Sequence, residues 1–285
     1  MSVLGVVGGS GLYDLPELED VRETWLDTPW GRPSAQIVRG RLGDMEVAFL
    51  ARHGRGHIFN PTDVPYRANV YALRSIGVTH MLSISAVGSL QLDHEPGSAV
   101  VPDQIIDRTS MHRSRTFFDN GVVAHVGLAD PFCQAFRETI VDIGQTTIGS
   151  VHNGGTYVVV EGPQFSTRAE SQLHRSWGAS IVGMTAMPEA RLAREAGLCY
   201  AMLAMVTDYD VWHESEEDVS VEIVRQVLHR NVEHGQNVVR ALASRGLPDC
   251  LSRCGSTMDG AMISDLAVVA PEALDRVALL LKTRR

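Results

Sequence analysis

The sequence predicts an α/β fold, and three observations carry that expectation. Apolar runs rich in Val, Ile and Leu recur along the chain, continuous in the way that strands buried on both faces require. Between them lie helical patterns with their start and stop residues in place. The 285-residue length suits one large α/β unit. No repeat, low-complexity tract or Pro/Gly-rich linker breaks the centre, so a single domain over residues 1–285 is expected.

In chain order the strand candidates are residues 3–7, 46–51, 81–86, 99–101, 156–160, 181–184 and 201–207. A helix is expected over 189–196, with Pro188 in its first turn and Gly197 just past its end. A longer helix begins near Val219 and shows Val221, Val224, Leu228 and Val232 at spacings of three and four, an apolar stripe. Turn-rich residues 245–260 then lead to a last helical piece, 271–282.

Composition excludes several classes of function. A formal charge of −9 argues against a nucleic-acid surface, which needs a basic patch to replace counterions. No run of 18 apolar residues occurs, so no membrane span is expected. The N-terminus lacks a basic n-region and reads as a first strand, which makes the cytoplasm the default location. Lys282 is the sole lysine and lies at the end of the chain, leaving Schiff-base chemistry without a nucleophile. Cys133, Cys199, Cys250 and Cys254 are dispersed, with no His-x-His pattern near them; Cys250-x-x-x-Cys254 either closes a small disulfide or sits reduced in a loop. On that spacing zinc is not expected, and they are assigned no catalytic role.

Candidate site residues gather where strands end. Gly8-Gly9-Ser10-Gly11 follows the first strand and could offer N–H groups and a hydroxyl to phosphate, although a plain tight turn explains it equally well. Asp14 breaks the G-x-G-x-x-G pattern and no Walker lysine is present, so dinucleotide and nucleoside-triphosphate binding lose their signatures. Arg52-His53-Gly54-Arg55-Gly56-His57 sits at the carboxyl end of a strand, and four such side chains repel one another unless solvated or facing an anion. Ser83 to Ser89 ends another strand with small hydroxylated residues, either a close-packed turn or further donors for the same anion. Phe165, after a Gly-Pro turn, either caps a core or offers an aromatic edge to a planar ligand. Asp208 and Asp210 are two apart, most often a pair of surface acids, but here after an apolar strand and before Trp212, which favours partial burial. Burial and mutual repulsion would raise a carboxyl pKa there, as a general acid requires.

Together these motifs resemble the trimeric purine nucleoside phosphorylase group, most closely its methylthioadenosine phosphorylase branch. The resemblance runs through the Gly-Gly-Ser-Gly-Leu opening, Asp27-Thr28-Pro29-Trp30-Gly31, Arg52 to Arg55, Asp107-Arg108-Thr109, Glu161-Gly162-Pro163, Met184-Thr185 and Asp208-Tyr209-Asp210, in the family's order. It implies a mixed, twisted, partly barrel-like sheet flanked by helices, phosphorolysis of a 5′-methylthio-nucleoside, no cofactor beyond phosphate as co-substrate, no metal, and a homotrimer with shared sites. Carried over by motif, Ser10, Arg52, His53, Ser85, Ala86 and Thr185 would hold phosphate. Met184 would lie against ribose, Phe165 and Ser166 against the base, and Val221 and Val224 along the methylthio group, with His125 reaching in from a neighbouring subunit. Asp208 would donate to N7 as the catalytic acid and Asp210 would serve the exocyclic amine.

Ser166 and Asp208 stand where the 6-oxopurine enzymes place Glu and Asn, so the resemblance implies adenine as the base. The alternative is a methylthioinosine or 6-oxopurine phosphorylase, because Ala186-Met187 resembles relatives that act on methylthioinosine. Gln164 and Ser10 replace the Arg and Thr usual in the family, and Arg225 takes a pocket-side position that is usually apolar. A nucleoside sensor without turnover is the reading from a different class, and Arg52 and His53 speak against it.

Overall fold

The computed structural model describes residues 2–9, 11–12, 14–213, 221–250 and 253–282, the side chains of 221–230 excepted. Its strands are β1 (Val3–Gly8), β2 (Glu19–Thr24), β3 (Ile37–Leu42), β4 (Met45–Ala51), β5 (Val78–Ser89) and β6 (Ala99–Val101). They continue as β7 (Gln104–Arg108), β8 (Val151–Asn153), β9 (Thr156–Val160), β10 (Ile181–Gly183) and β11 (Cys199–Asp208). The helices are α1 (Tyr66–Ser75), α2 (Gln134–Thr147), α3 (Arg168–Ser176), α4 (Ala186–Glu195), α5 (Val221–Arg245) and α6 (Pro271–Val277).

All eleven strands join one mixed sheet in the order β2-β3-β4-β1-β5-β10-β9-β7, which branches at β5 through β11 to β6 and β8. The branch is possible because β5 is long. Its first half pairs with β1 in parallel, its last two residues pair with β10 antiparallel, and β11 follows it from His80 to Gly88.

Period-two alternation then divides the core between the two faces of the sheet. Along β11, Tyr200, Met202, Ala204 and Val206 enter one cluster with α1 and α4 residues such as Leu73 and Leu192. Cys199, Ala201, Leu203 and Met205 enter the other, against Phe136 of α2 and Leu242 of α5. Helices on both faces explain why these strands read as unbroken apolar runs.

The expected strands are all present: β1 and β4 are longer at one end, β5 and β11 at both, and β6 and β9 have the expected bounds. The strand expected over 181–184 stops at Gly183, leaving Met184 and Thr185 to a turn. The last helix is shorter than expected and ends at Val277, with turns after it. Sequence patterning assigns nothing to β2, β3, β7, β8, α1, α2 or α3. β2 is exposed at all six positions and carries no apolar signal to read.

Candidate active site

The carboxyl ends of β1, β4, β5, β9, β10 and β11 surround a cavity of about 360 Å³, the place where α/β sheets bind ligands. Arg52, His53, Ser85, Ala86, Phe165, Ser166, Met184, Thr185, Asp208 and Asp210 all line it, so ten of the sequence-derived candidates meet in one space. Ser10 and the side chains of Val221 and Val224 lie outside the described residues. His125 is exposed on a loop whose neighbour Ala124 bridges Met262, and it does not line the cavity of its own chain.

The acid pair depends on local backbone detail. A register shift between Val206 and Asp208 turns Asp208 opposite Gly88 of β5, as bulges do when they re-aim a side chain. A Cβ on Gly88 would stand 3.0 Å from Asp208 Oδ1 and 3.3 Å from Asp210 Cβ, so a side chain here fits only if the acid pair shifts. Asp208 accepts from the Thr207 hydroxyl at 2.6 Å and from the Asp210 N–H at 2.8 Å. Burial raises the Asp208 pKa, the two donors oppose it, and the Asp210 charge adds to the rise. Burial likewise raises Asp210, with the Ser171 and Ser166 hydroxyls acting against it. Its Oδ2 is buried with no hydrogen-bond partner among the described residues. Two carboxyls in one wall, both biased toward the protonated form, can donate to an acceptor on a ligand.

The rest of the lining carries less positive charge than the sequence suggests. Arg52 is 2 % exposed, and its Nε donates to Glu189 Oε1 at 2.8 Å, while Nη2 donates to Ser83 Oγ at 2.6 Å and to the Val7 carbonyl. Nη1 donates to the Ile84 carbonyl at 3.3 Å, which leaves one Nη1 hydrogen for a ligand. Burial opposes the guanidinium charge, but Glu189 together with nearby tyrosines outweighs it and holds the pKa above its ordinary value. Glu189 also accepts from Tyr200 at 3.0 Å, so the pair is buried with its partners in place.

His53 contributes as a neutral ring. Burial, then the Arg52 charge, pulls its pKa down to about 4. Its Nδ1 lies 2.9 Å from the Phe59 carbonyl, which can only accept, so the proton sits on Nδ1. His57 stacks on it at 4.3 Å and also lines the cavity. Arg55 instead pairs with Glu23 at 2.7 Å, with both side chains well exposed. Of the four basic or titratable side chains in this motif, Arg52, His53 and His57 line the cavity and Arg55 does not. Ser85 Oγ and Thr185 Oγ1, 3.1 Å apart, add hydroxyls beside them.

Three residues without a motif prove important to this geometry. Glu189 fixes Arg52. Arg113 is 2 % exposed and donates to the carbonyls of Met184 (2.6 Å), Met187 (2.8 Å) and Glu161 (2.5 Å), tying the turn after β10 to the Gly162-Pro163 turn. A Cβ on Gly162, at φ +69, would lie 2.4 Å from Met184 Sδ, so that turn needs glycine to seat Met184. Asn231 of α5 lines the cavity and is 4 % exposed, and neither of its side-chain polar atoms has a partner among the described residues. An acid in an otherwise apolar helix face was the one available signal for Glu189. Nothing in the sequence singles out Arg113 or Asn231. Asp107 and Thr28, within matched motifs, serve a local turn and a bridge.

Residues 3–244 match the family model described as the phosphorylase superfamily. The chain belongs to that family. It is 47 % identical over 279 residues to the S-methyl-5′-thioadenosine phosphorylase of Geobacter sulfurreducens, covering 98 % of each chain. The crystal structure of a methylthioadenosine phosphorylase from an antarctic soil metagenomic library superposes with a TM-score of 0.92 at 43 % identity, over 99 % of both chains. A variant of the Schistosoma mansoni adenosine/methylthioadenosine phosphorylase, crystallised with methylthioadenosine, gives 0.82 at 34 % identity over 100 % of this chain and 99 % of its own. Fold class and family thus agree with the resemblance read from the motifs.

Proposed function

We propose that this chain cleaves 5′-methylthioadenosine with phosphate, giving adenine and 5-methylthioribose 1-phosphate. The observation that carries this reading is one cavity lined both by a buried acid pair and by Arg52, Ser85 and Thr185. The names of its relatives support the same substrate. A phosphate oxygen held by Arg52, His53, Ser85, Ala86, Thr185 and Ser10 attacks C1′ as the bond from C1′ to N9 breaks. The bonding pair moves onto the purine, and Asp208 delivers its proton to N7, so adenine leaves neutral. Asp208 is left as carboxylate and regains a proton from solvent. The anchored phosphate stabilises the positive charge that develops on the sugar. Asp210 accepts from the exocyclic amine, Phe165 and Ser166 border the base, Met184 lies under ribose, and Val221 and Val224 line the methylthio group.

The reaction needs phosphate as co-substrate and no cofactor, and it places the chain in purine and methionine salvage. No helix among the described residues is long and apolar enough to cross a membrane, and a cytoplasmic location fits the proposed substrate. His125 completes the site of a neighbouring subunit in a homotrimer, which explains its exposure here. Base release from methylthioadenosine, methylthioinosine, adenosine and inosine, each with and without phosphate, tests the proposal. Phosphate-dependent adenine release from methylthioadenosine should dominate; preferential hypoxanthine release, or no need for phosphate, overturns it. Light scattering together with His125→Ala kinetics tests the shared site, and a fully active monomer refutes it.

A further inference from the structure

The four cysteines, dispersed in sequence, converge in space, which their spacing does not signal. The sulfurs of Cys133, Cys199, Cys250 and Cys254 all lie within 4.8 Å of one another, and Cys133 Sγ is 3.9 Å from Cys250 Sγ. We propose that these four thiolates form a structural zinc site at the end of the sheet remote from the cavity.

The distances suit the ion. Zinc takes four sulfurs at about 2.3 Å in a tetrahedron, which sets neighbouring sulfurs about 3.8 Å apart. Cys250 and Cys254 supply a C-x-x-x-C pair after α5, a common ligand spacing, with Cys254 opening a short 3-10 helix. The other two ligands start secondary elements: Cys133 is the N-cap of α2 and Cys199 the first residue of β11. Cys133, Cys199 and Cys254 are at most 1 % exposed, so solvent is largely excluded and the coordination sphere is closed, as in structural zinc sites.

The surroundings are those of sulfur that carries negative charge. The Cys254 N–H donates to Cys250 Sγ at 3.2 Å, and Arg194 Nη1 donates to Cys254 Sγ at 3.7 Å. The N-terminus of the fourteen-residue α2 adds its dipole at Cys133. Thiols and disulfides are weak acceptors and give such donors little, whereas a zinc tetrathiolate, with a net charge of −2, uses all three. Four mutually close sulfurs also exceed what a single disulfide would use. The gain is a clip between segments 117 residues apart, closing the carboxyl-terminal turn onto the start of β11.

Chain purified without chelators or metal-affinity resin, after growth with added zinc, tests this. Elemental analysis and native mass spectrometry should find about one zinc per chain. Four thiols should react with a chromogenic reagent only after denaturation. Exchange with cobalt should give the visible bands of tetrahedral thiolate cobalt. A strong chelator should lower Tm by at least about 5 °C. Cys250→Ser should lose the zinc and lower Tm while leaving kcat unchanged below melting. Zinc well below stoichiometric, or a denatured wild-type chain whose mass and thiol count reveal disulfides, overturns the proposal even if no variant folds.

Discussion

At its amino end β11 starts with Cys199, packed among three other sulfurs beneath a turn; at its carboxyl end it delivers Asp208 to an open cavity. Every residue from Cys199 to Thr207 is buried, so the two ends are joined by a rigid apolar strand. One end closes the fold with groups that face each other, and the other leaves polar groups facing space. In the acid pair, Asp210 Oδ2 has no partner among the described residues, whereas the sulfur end has donors aimed at its own atoms. The difference teaches how one strand serves two ends: the sulfur end is satisfied within the fold, while the cavity end presents buried polar groups to open space.

Changes at the cavity end should therefore alter rate, and changes elsewhere along the sheet should alter stability. The largest effect expected is for Asp208→Asn. Loss of the general acid should lower kcat by about 10²–10⁴, with Tm close to wild type, as steady-state assays and melting curves would record. Because the folded Asp208 pKa is raised, its proton-donating form is present below that pKa and lost as pH rises through it. kcat/KM should fall on the alkaline side, and that limb should be absent from the variant.

Glu189→Gln tests whether the comparison is too simple, since Glu189 belongs to both the core and the cavity. Removing one partner of a buried pair should cost about 3–5 kcal/mol in denaturant unfolding and raise KM for phosphate. An unchanged melting curve would refute the compensating role assigned to it.

Glu195 lies at the far end of α4, toward the cysteines, and burial pushes its pKa up to about 7 despite bonds from Thr116 and the Phe117 N–H. The folded chain keeps a proton that the unfolded chain releases near the ordinary carboxyl value, so this contribution is complete below pH 4.5 and is lost as pH rises through about 7. Glu195→Gln should flatten the stability profile across that window by at most about 3 kcal/mol, measured by denaturant unfolding at either end of it. Activity should not change. Gly88→Ala should have the smallest effect. Displacing the acid pair should reduce kcat/KM on the order of tenfold with little change in melting.

Local segments made much of this legible. Residues 52–57, 161–166, 184–185 and 208–210 are contiguous, each follows a buried strand, and each reaches the cavity with its neighbours in sequence. Double-sided burial wrote β1, β4, β5 and β11 into plain apolar runs. Edge strands hold through pairing alone, so β2, with no buried residue, left no pattern. Arg52 reads as an anion ligand by residue type, yet Glu189, which neutralises it, lies 137 residues away. The sulfur cluster joins residues as far apart as Cys133 and Cys250, and no local spacing encodes that.

The tautomer of His53 has a consequence for ion selectivity. With Nδ1–H held by the Phe59 carbonyl and the ring neutral down to about pH 4, Nε2 keeps a lone pair. Monohydrogen phosphate has an O–H to give it, while sulfate, of the same shape and charge, has none. Beside a guanidinium already matched by Glu189, that proton distinguishes two oxyanions which Coulombic attraction alone would treat alike. In the proposed reaction, then, the anion is selected by protonation rather than by charge, and sulfate should remain a poor competitor at neutral pH.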